Sequence, residues 1–363
     1  MIHTFEIGHY ITNKAAQAIL SYRDVKQTKR GFHFAGAVNG ITKVSLYRIG
    51  RDEENLRGTW YIKIIVNPDR LMKGYEGFRT VLADAETLER LTHHFNTALI
   101  EAIGGRSSYG LPELPEWKVR RIDYALDIHT PFVEQYVLLF AKGDKAKYYR
   151  DNPKGWTGSC YWECNSVIVN LYWKVDELVK KNAHPTIIAR AKDILRFEIQ
   201  CKGPKLSALR KKGNLRSSIL RNFFNSEIAE EILLSYCKRS FKEGDYYTFG
   251  KAEKQMEQRG SSKRKIKALS NILKAIAQTR SISAARKQLS TGGIVLKNTS
   301  IKIPYSTTQF GRNLKALVDL EINPVTIPRD WKIECLPSVY SMIEQAFHGQ
   351  RDNDACVLSK KSR

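Results

Sequence analysis

Three segments in the middle of the chain place acids, cations and a tyrosine at every second position. In residues 121–129, Arg121, Asp123, Ala125, Asp127 and His129 alternate with Ile122, Tyr124, Leu126 and Ile128. In residues 166–174, Ile168, Asn170, Tyr172 and Lys174 alternate with Val167, Val169, Leu171 and Trp173. In residues 195–201, Arg196, Glu198 and Gln200 alternate with Leu195, Phe197, Ile199 and Cys201. Period two is the signature of a strand with unlike faces. If the apolar faces lie on helices, one sheet face carries Asp123, Asp127, His129, Tyr172, Lys174 and Glu198. Carboxylates with one imidazole are ligands for a hard divalent cation, Mg²⁺ or Mn²⁺. A tyrosine beside that cation could lose its proton and attack phosphorus. The cation and Lys174 would offset charge on the phosphate oxygens.

The same pattern has ordinary explanations. A half-solvated antiparallel strand is apolar on one side and polar on the other. Asp123 could pair with Arg121 or Arg196, Tyr172 could be a hydrogen-bonded surface tyrosine, and His129 a structural histidine. Cys160 and Cys164 are close in sequence, but no second Cys/His pair stands at zinc-finger spacing.

These segments sit in an alternation of strand-like and helix-like stretches. Residues 59–66 read as a strand stopped by the turn Asn67-Pro68-Asp69. Residues 84–103 read as an amphipathic helix ended by Gly104 and Gly105. Strands are expected at 118–129, 166–174 and 194–201, with helices at 131–142 and 175–183. The fold class expected is α+β, a mostly antiparallel central sheet with helices on one face. After about residue 204 the chain reads mainly as helices, and residues 202–290 hold 21 Lys/Arg against 7 Asp/Glu. Residues 261–280 and 281–290 resemble two helices joined by a short turn, with Ser281 or Ser283 as N-cap of the second. As a helix-turn-helix, this pair would offer Lys263, Arg264, Lys265, Lys267, Arg286 and Lys287 to DNA. The domains expected are 1–204, a basic, mainly helical 205–349, and a polar tail at 350–363.

The whole chain carries 60 Lys+Arg against 37 Asp+Glu, a formal charge of +23. Such an excess points to a polyanionic partner, because each cation on a phosphate releases condensed counterions. No apolar run reaches spanning length, the N-terminus does not read as a secretory signal, and six scattered cysteines fit reduced thiols. A cytoplasmic location with no membrane partner is expected.

The stretches VRRIDYALDI, VIVNLYWKVDEL and DILRFEIQCKG, in this order, resemble the motifs of rolling-circle replication initiators. They are most similar to the phage/plasmid replication protein, gene II/X family, and share their order with plasmid initiators of the Rep_trans type. IVNPDRL at 65–71 resembles an upstream element of the latter, and LKALVDLEINPVTIPRDW at 314–331 a C-terminal stretch of the gene II/X family. The resemblance implies an HUH-endonuclease-like nuclease that nicks an origin through a 5′-phosphotyrosine and rejoins the strand after replication. It makes Tyr172 the nucleophile, with Lys174 in the same Tyr-x-Lys motif. It makes Asp123, Asp127 and Glu198 candidate metal ligands and matches Arg121 and Arg196 to motif arginines. Origin DNA, duplex and single-stranded, and a host helicase and polymerase are the partners implied. The chain lacks the His-hydrophobic-His pair of many such nucleases, since His93 and His94 are adjacent. Tyr148 and Tyr149 are rival nucleophiles. The contrasting expectation is a sequence-specific DNA-binding regulator without catalysis, and a third is a tyrosine recombinase.

Overall fold

The computed structural model describes residues 1–22, 24–29, 31–34, 38–49, 59–106, 109–151, 159–297, 302–303 and 306–348. The expected polar tail lies outside them. The chain is α+β with a large antiparallel sheet. It forms two compact units that interleave along the sequence. The first contains residues 1–127, 165–168 and 197–232, and the second 128–164, 169–196 and 233–363. The change of composition near residue 204 does not coincide with a boundary between these units. The helix that begins at Gly203 belongs to the first unit.

The first unit opens with β1 (Ile2–Ile11), α1 (Asn13–Tyr22), β2 (Val25–Thr28), β3 (Gly31–Phe34), β4 (Ile41–Ile49) and β5 (Thr59–Val66). There follow α2 (Pro68–Lys73), α3 (Ala85–Ile103) and β6 (Lys118–His129). The strands run in the order β2-β3-β4-β5-β1-β6, and each of these neighbours is antiparallel. Period two assigns the faces. Phe5 and Ile7 stand opposite Val66 and Ile64, Ile64 and Ile62 opposite Val44 and Leu46, and all are buried. Helix α3 adds Leu88, Leu91, Phe95, Leu99 and Ile103 to the buried set, the stripe its 3.6-residue period predicts. Asp84 caps its first turn by accepting from Thr87 N. Gly104, at φ 86°, ends it in the left-handed conformation that a Cβ disfavours. The element 65–71 is a helix start: Asn67 Oδ1 accepts from Arg70 N at 3.0 Å, and buried Asp69 accepts from Arg79 N at 2.8 Å. Its conspicuous residues hold local structure.

The second unit receives α4 (Val133–Ala141), β7 (Arg150–Asp151), β8 (Ser159–Glu163) and most of β9 (Val167–Trp173). It also receives α5 (Lys174–Lys180) and α6 (Pro185–Arg190). Next come β10 (Ile194–Lys202), shared between the units, and α7 (Gly203–Lys212) and α8 (Leu220–Phe223) of the first unit. Helix α9 (Ser226–Phe241) leads back to the second unit. The remaining elements are β11 (Tyr246–Tyr247), α10 (Phe249–Gln258), α11 (Lys263–Thr279), α12 (Ile282–Thr291), β12 (Ile294–Val295), β13 (Lys302–Ile303), α13 (Thr307–Val318) and β14 (Cys335–Leu336). Within this unit the strand order is β9-β8-β7. Phe140, Trp162 and Phe241 stack into its core, Trp162 lying 5.6 Å from each of the other two rings. In the stretch 314–331, buried Asn323 donates to Phe241 O at 2.7 Å and accepts from Val325 N. That motif residue ties the end of α9 to the chain that follows α13.

Helices α11 and α12 form as expected. Arg280 takes a left-handed turn at φ 69°, and Ser281 caps α12 by accepting from Ala284 N at 3.0 Å. Among the described residues no helix is long and apolar enough to cross a membrane.

Candidate functional site

The alternation in β6, β9 and β10 predicts one apolar face and one face open to water. The apolar half holds, but the polar half is corrected. Residues 167–172 of β9 and 194–199 of β10 are all buried, so neither face of either strand is solvated there. Asp123 is 1% exposed, Glu198 3%, Tyr172 4% and Lys174 2%. Arg196 is fully buried, Asp127 and Arg121 are half-buried, and His129 is exposed. Asp123, Tyr172, Arg196 and Glu198 stand in strands as expected, but in closed surroundings that alternation does not foresee.

In the first unit the polar face gathers a charged group. Arg121 Nε lies 3.0 Å from Asp123 Oδ1, the pairing expected of two residues on one strand face. Thr4 stands opposite Asp123 and Glu6 opposite Arg121, and Lys63 pairs with Glu6 at 3.3 Å. Between Ile2 and Thr4 the register with β6 slips by one residue, and His3 is the extra one. Simple alternation puts His3 on the apolar side with Phe5 and Ile7. The bulge re-aims it, and its Nδ1 donates to Glu198 Oε2 at 2.8 Å. Gln200 donates to the other carboxylate oxygen at 2.7 Å. His3 and Glu6 are thus members of the group that the sequence did not reveal, since a bulge leaves no pattern in composition or period. Burial, opposed by Arg121 and helped by Glu198 and Glu6, pushes the Asp123 carboxyl up to about 8. Burial pulls the Arg121 guanidinium down, but Asp123, Glu6 and Glu198 together hold it above its ordinary value.

The donor types here, two buried carboxylates and an imidazole, suit a hard divalent cation. Their present pairing does not form a site for one. Among the described residues no three His, Cys, Asp or Glu side chains form a group that could hold a metal ion. Asp127 and His129, at the end of β6, are not brought into such a group.

In the second unit the Tyr-x-Lys motif spans the end of β9 and the start of α5. Lys174 is the first residue of the helix, not the last of the strand. Its Nζ pairs with Glu177, one turn on, and Lys181 takes the same carboxylate. Nζ also stands 6.0 Å from the centre of the Tyr172 ring. Burial, and after it the Arg196 charge, bring the Lys174 ammonium down to about 8 against the pull of Glu177. Lys174 thus stands buried near the Tyr172 ring, paired to Glu177 and close enough to Arg196 to feel its charge.

No family model matches the chain, and no curated protein matches it.

On the helix pair, Lys263, Arg264, Lys265 and Lys267 are exposed at the start of α11, and Lys287 is exposed on α12. Arg286 is engaged instead: Nη2 lies 2.7 Å from Asp144 Oδ2 and the guanidinium stands 5.4 Å from the Phe310 ring. Of the rival tyrosines, Tyr148 is 60% exposed and Tyr149 is buried. The five described cysteines form no disulfide.

Proposed function

We propose that this protein is a rolling-circle replication initiator, an HUH-like nuclease with a basic helical C-terminal region. It nicks one strand of an origin through Tyr172 and rejoins it after replication. The observation that carries the reading is the burial of charge on the three motif strands. Removing a carboxylate or an ammonium from water costs several kcal/mol even after pairing. A chain that keeps Asp123, Glu198, Lys174 and Arg196 out of solvent does so against its stability, which is the usual condition of groups tuned for chemistry.

In this reading the Tyr172 oxygen attacks phosphorus as the phenol gives up its proton. The new O–P bond replaces the bond to the 3′ oxygen, which takes up a proton and leaves as a 3′-hydroxyl. The attached 5′ end is released when that hydroxyl, or its equivalent after one round, attacks the phosphotyrosine. Lys174 and Arg196 supply positive charge toward the phosphoryl oxygens. Asp123 and Glu198 are the acids this reading would offer to Mg²⁺ or Mn²⁺, though as they are now paired they form no site for one. When bound, the ion would add Lewis acidity at the phosphate. Tyr172 is closed off from solvent, so attack requires that the phenol first be uncovered.

A regulator that binds DNA without cutting it is the second reading, favoured by that same closure and by the well-formed helix pair. Supercoiled plasmid carrying the cognate origin, incubated with protein and Mn²⁺, separates the two. The nuclease reading expects nicked circles with protein on the 5′ end, and their loss in Tyr172→Phe. Tight binding with intact circles supports the regulator. Undiminished nicking by Tyr172→Phe removes that residue from the reaction.

A further inference from the structure

A cleft in the second unit has a cavity volume of about 1060 Å³ and carries no part of the proposed nicking chemistry. Its walls are the loop 144–149, the last turns of α9 and one side of α12. The loop is tied to both helices. Asp144 N donates to Ser240 O at 2.8 Å, and Ile282 N donates to Lys142 O at 2.9 Å. Among the described residues, Lys145, Lys147, Arg239, Arg286 and Lys287 line it against a single acid, Asp144. That acid is neutralised twice, by Arg286 at 2.7 Å and Lys242 at 2.9 Å, so the cleft is strongly positive. The ring of Tyr148 lies at its mouth, 60% exposed, and rests on buried Tyr149 with 4.8 Å between ring centres. Tyr149 in turn stands 6.5 Å from Trp162 of the core.

We infer that this cleft binds a single-stranded nucleic acid, with phosphates on its cations and an unpaired base on Tyr148. Three observations converge on that class of ligand. The volume stands at the top of the roughly 300–1,000 Å³ range of small-molecule pockets, enough for more than one nucleotide. The charge calls for several phosphates. An exposed aromatic face backed by a fixed ring offers a stacking platform, and only a base freed from its duplex can use one. One side of α12 lines the cleft together with the loop, and Arg286 is tied to that loop through Asp144. A strand fits that geometry; the edge of a duplex does not. The inference rests on the nucleic-acid part of the proposed function and is independent of nicking.

The test is fluorescence anisotropy of the full chain with a labelled dT12 strand and with a duplex of equal length. The inference expects Tyr148→Ala to weaken the strand by roughly 5- to 100-fold, with the duplex changed less than twofold and the unfolding midpoint unmoved. Tyr148→Phe, which keeps the ring, should bind the strand like the parent. Lys287→Ala should lower the salt slope for the strand by about 0.7. Equal losses on strand and duplex, an unaffected Tyr148→Ala, or a Tyr148→Phe as weak as the alanine variant would each overturn it. If the parent binds neither DNA, the inference and the proposed function fall together. If the parent binds DNA but ignores Tyr148, this inference alone fails.

Discussion

Replacing Asp123 by asparagine tests the electrostatic core of the candidate site. In the folded chain its carboxyl is held near 8, against an ordinary 3.8. A group whose folded value is raised gives a contribution fully present below about pH 4 that is lost as pH rises through about 8, because the unfolded chain releases the proton first. At pH 7 the wild-type protein has forfeited roughly 4 kcal/mol in this way, and at pH 5 between about 1 and 2 kcal/mol. Asparagine has the same shape and no proton to release, so it escapes this loss. It also deprives Arg121 of its 3.0 Å partner, a penalty of about 1–3 kcal/mol at either pH. Asp123→Asn should therefore be close to neutral or slightly destabilised at pH 5 and more stable than wild type at pH 7. The gap between the two proteins should grow by roughly 3 kcal/mol over those two units. Equilibrium urea unfolding at pH 5, 6, 7 and 8 measures it, since other titrations cancel in the difference. A gap that shrinks or reverses with rising pH would show that Arg121 holds Asp123 as an ordinary low-pH carboxylate. The argument from buried charge would then lose its main member.

Two further outcomes follow from the same structure. Under the nuclease reading, Mn²⁺ bound by Asp123 and Glu198 must drive off the proton that burial keeps on Asp123. Titration of weakly buffered protein near pH 7 should then release close to one proton per ion, and Asp123→Asn none; ion binding without release would place the metal elsewhere. Helix α11 opens with Lys263, Arg264 and Lys265 and has no acid in its first turn, against the preference of a helix N-terminus for negative charge. Arg264→Glu should stabilise the protein by about 0.3–1 kcal/mol in thermal unfolding, while weakening DNA binding and lowering its salt slope by about 1. Affinity left unchanged would show that this turn does not meet DNA.

What the sequence discloses and what it hides divide along one physical line. Period and capping are local properties, and they placed β5, β6, α3 and the α11–α12 pair within a residue or two, and narrowed the N-cap of α12 to Ser281 or Ser283, of which Ser281 is the one used. Local signals also stop at the element. The bulge that turns His3 toward Glu198 is a register slip between two strands, and alternation read along β1 alone puts that histidine on the wrong face. The burial of β9 and β10 on both sides depends on what covers them, and their polar residues read as solvated because period two cannot tell water from a protein layer. Lys174 shows the same limit at smaller scale. Read as the end of a strand it points with Tyr172, whereas as the first residue of α5 it meets Glu177 one turn later. Arg286 reads as a solvated cation until Asp144, far away in sequence, is found beside it. In each case the residue type was legible and the partner was not. The reactivity of these groups is set by their partners: an aspartate is an acid near 8 or a ligand according to what Arg121 and Glu198 do beside it.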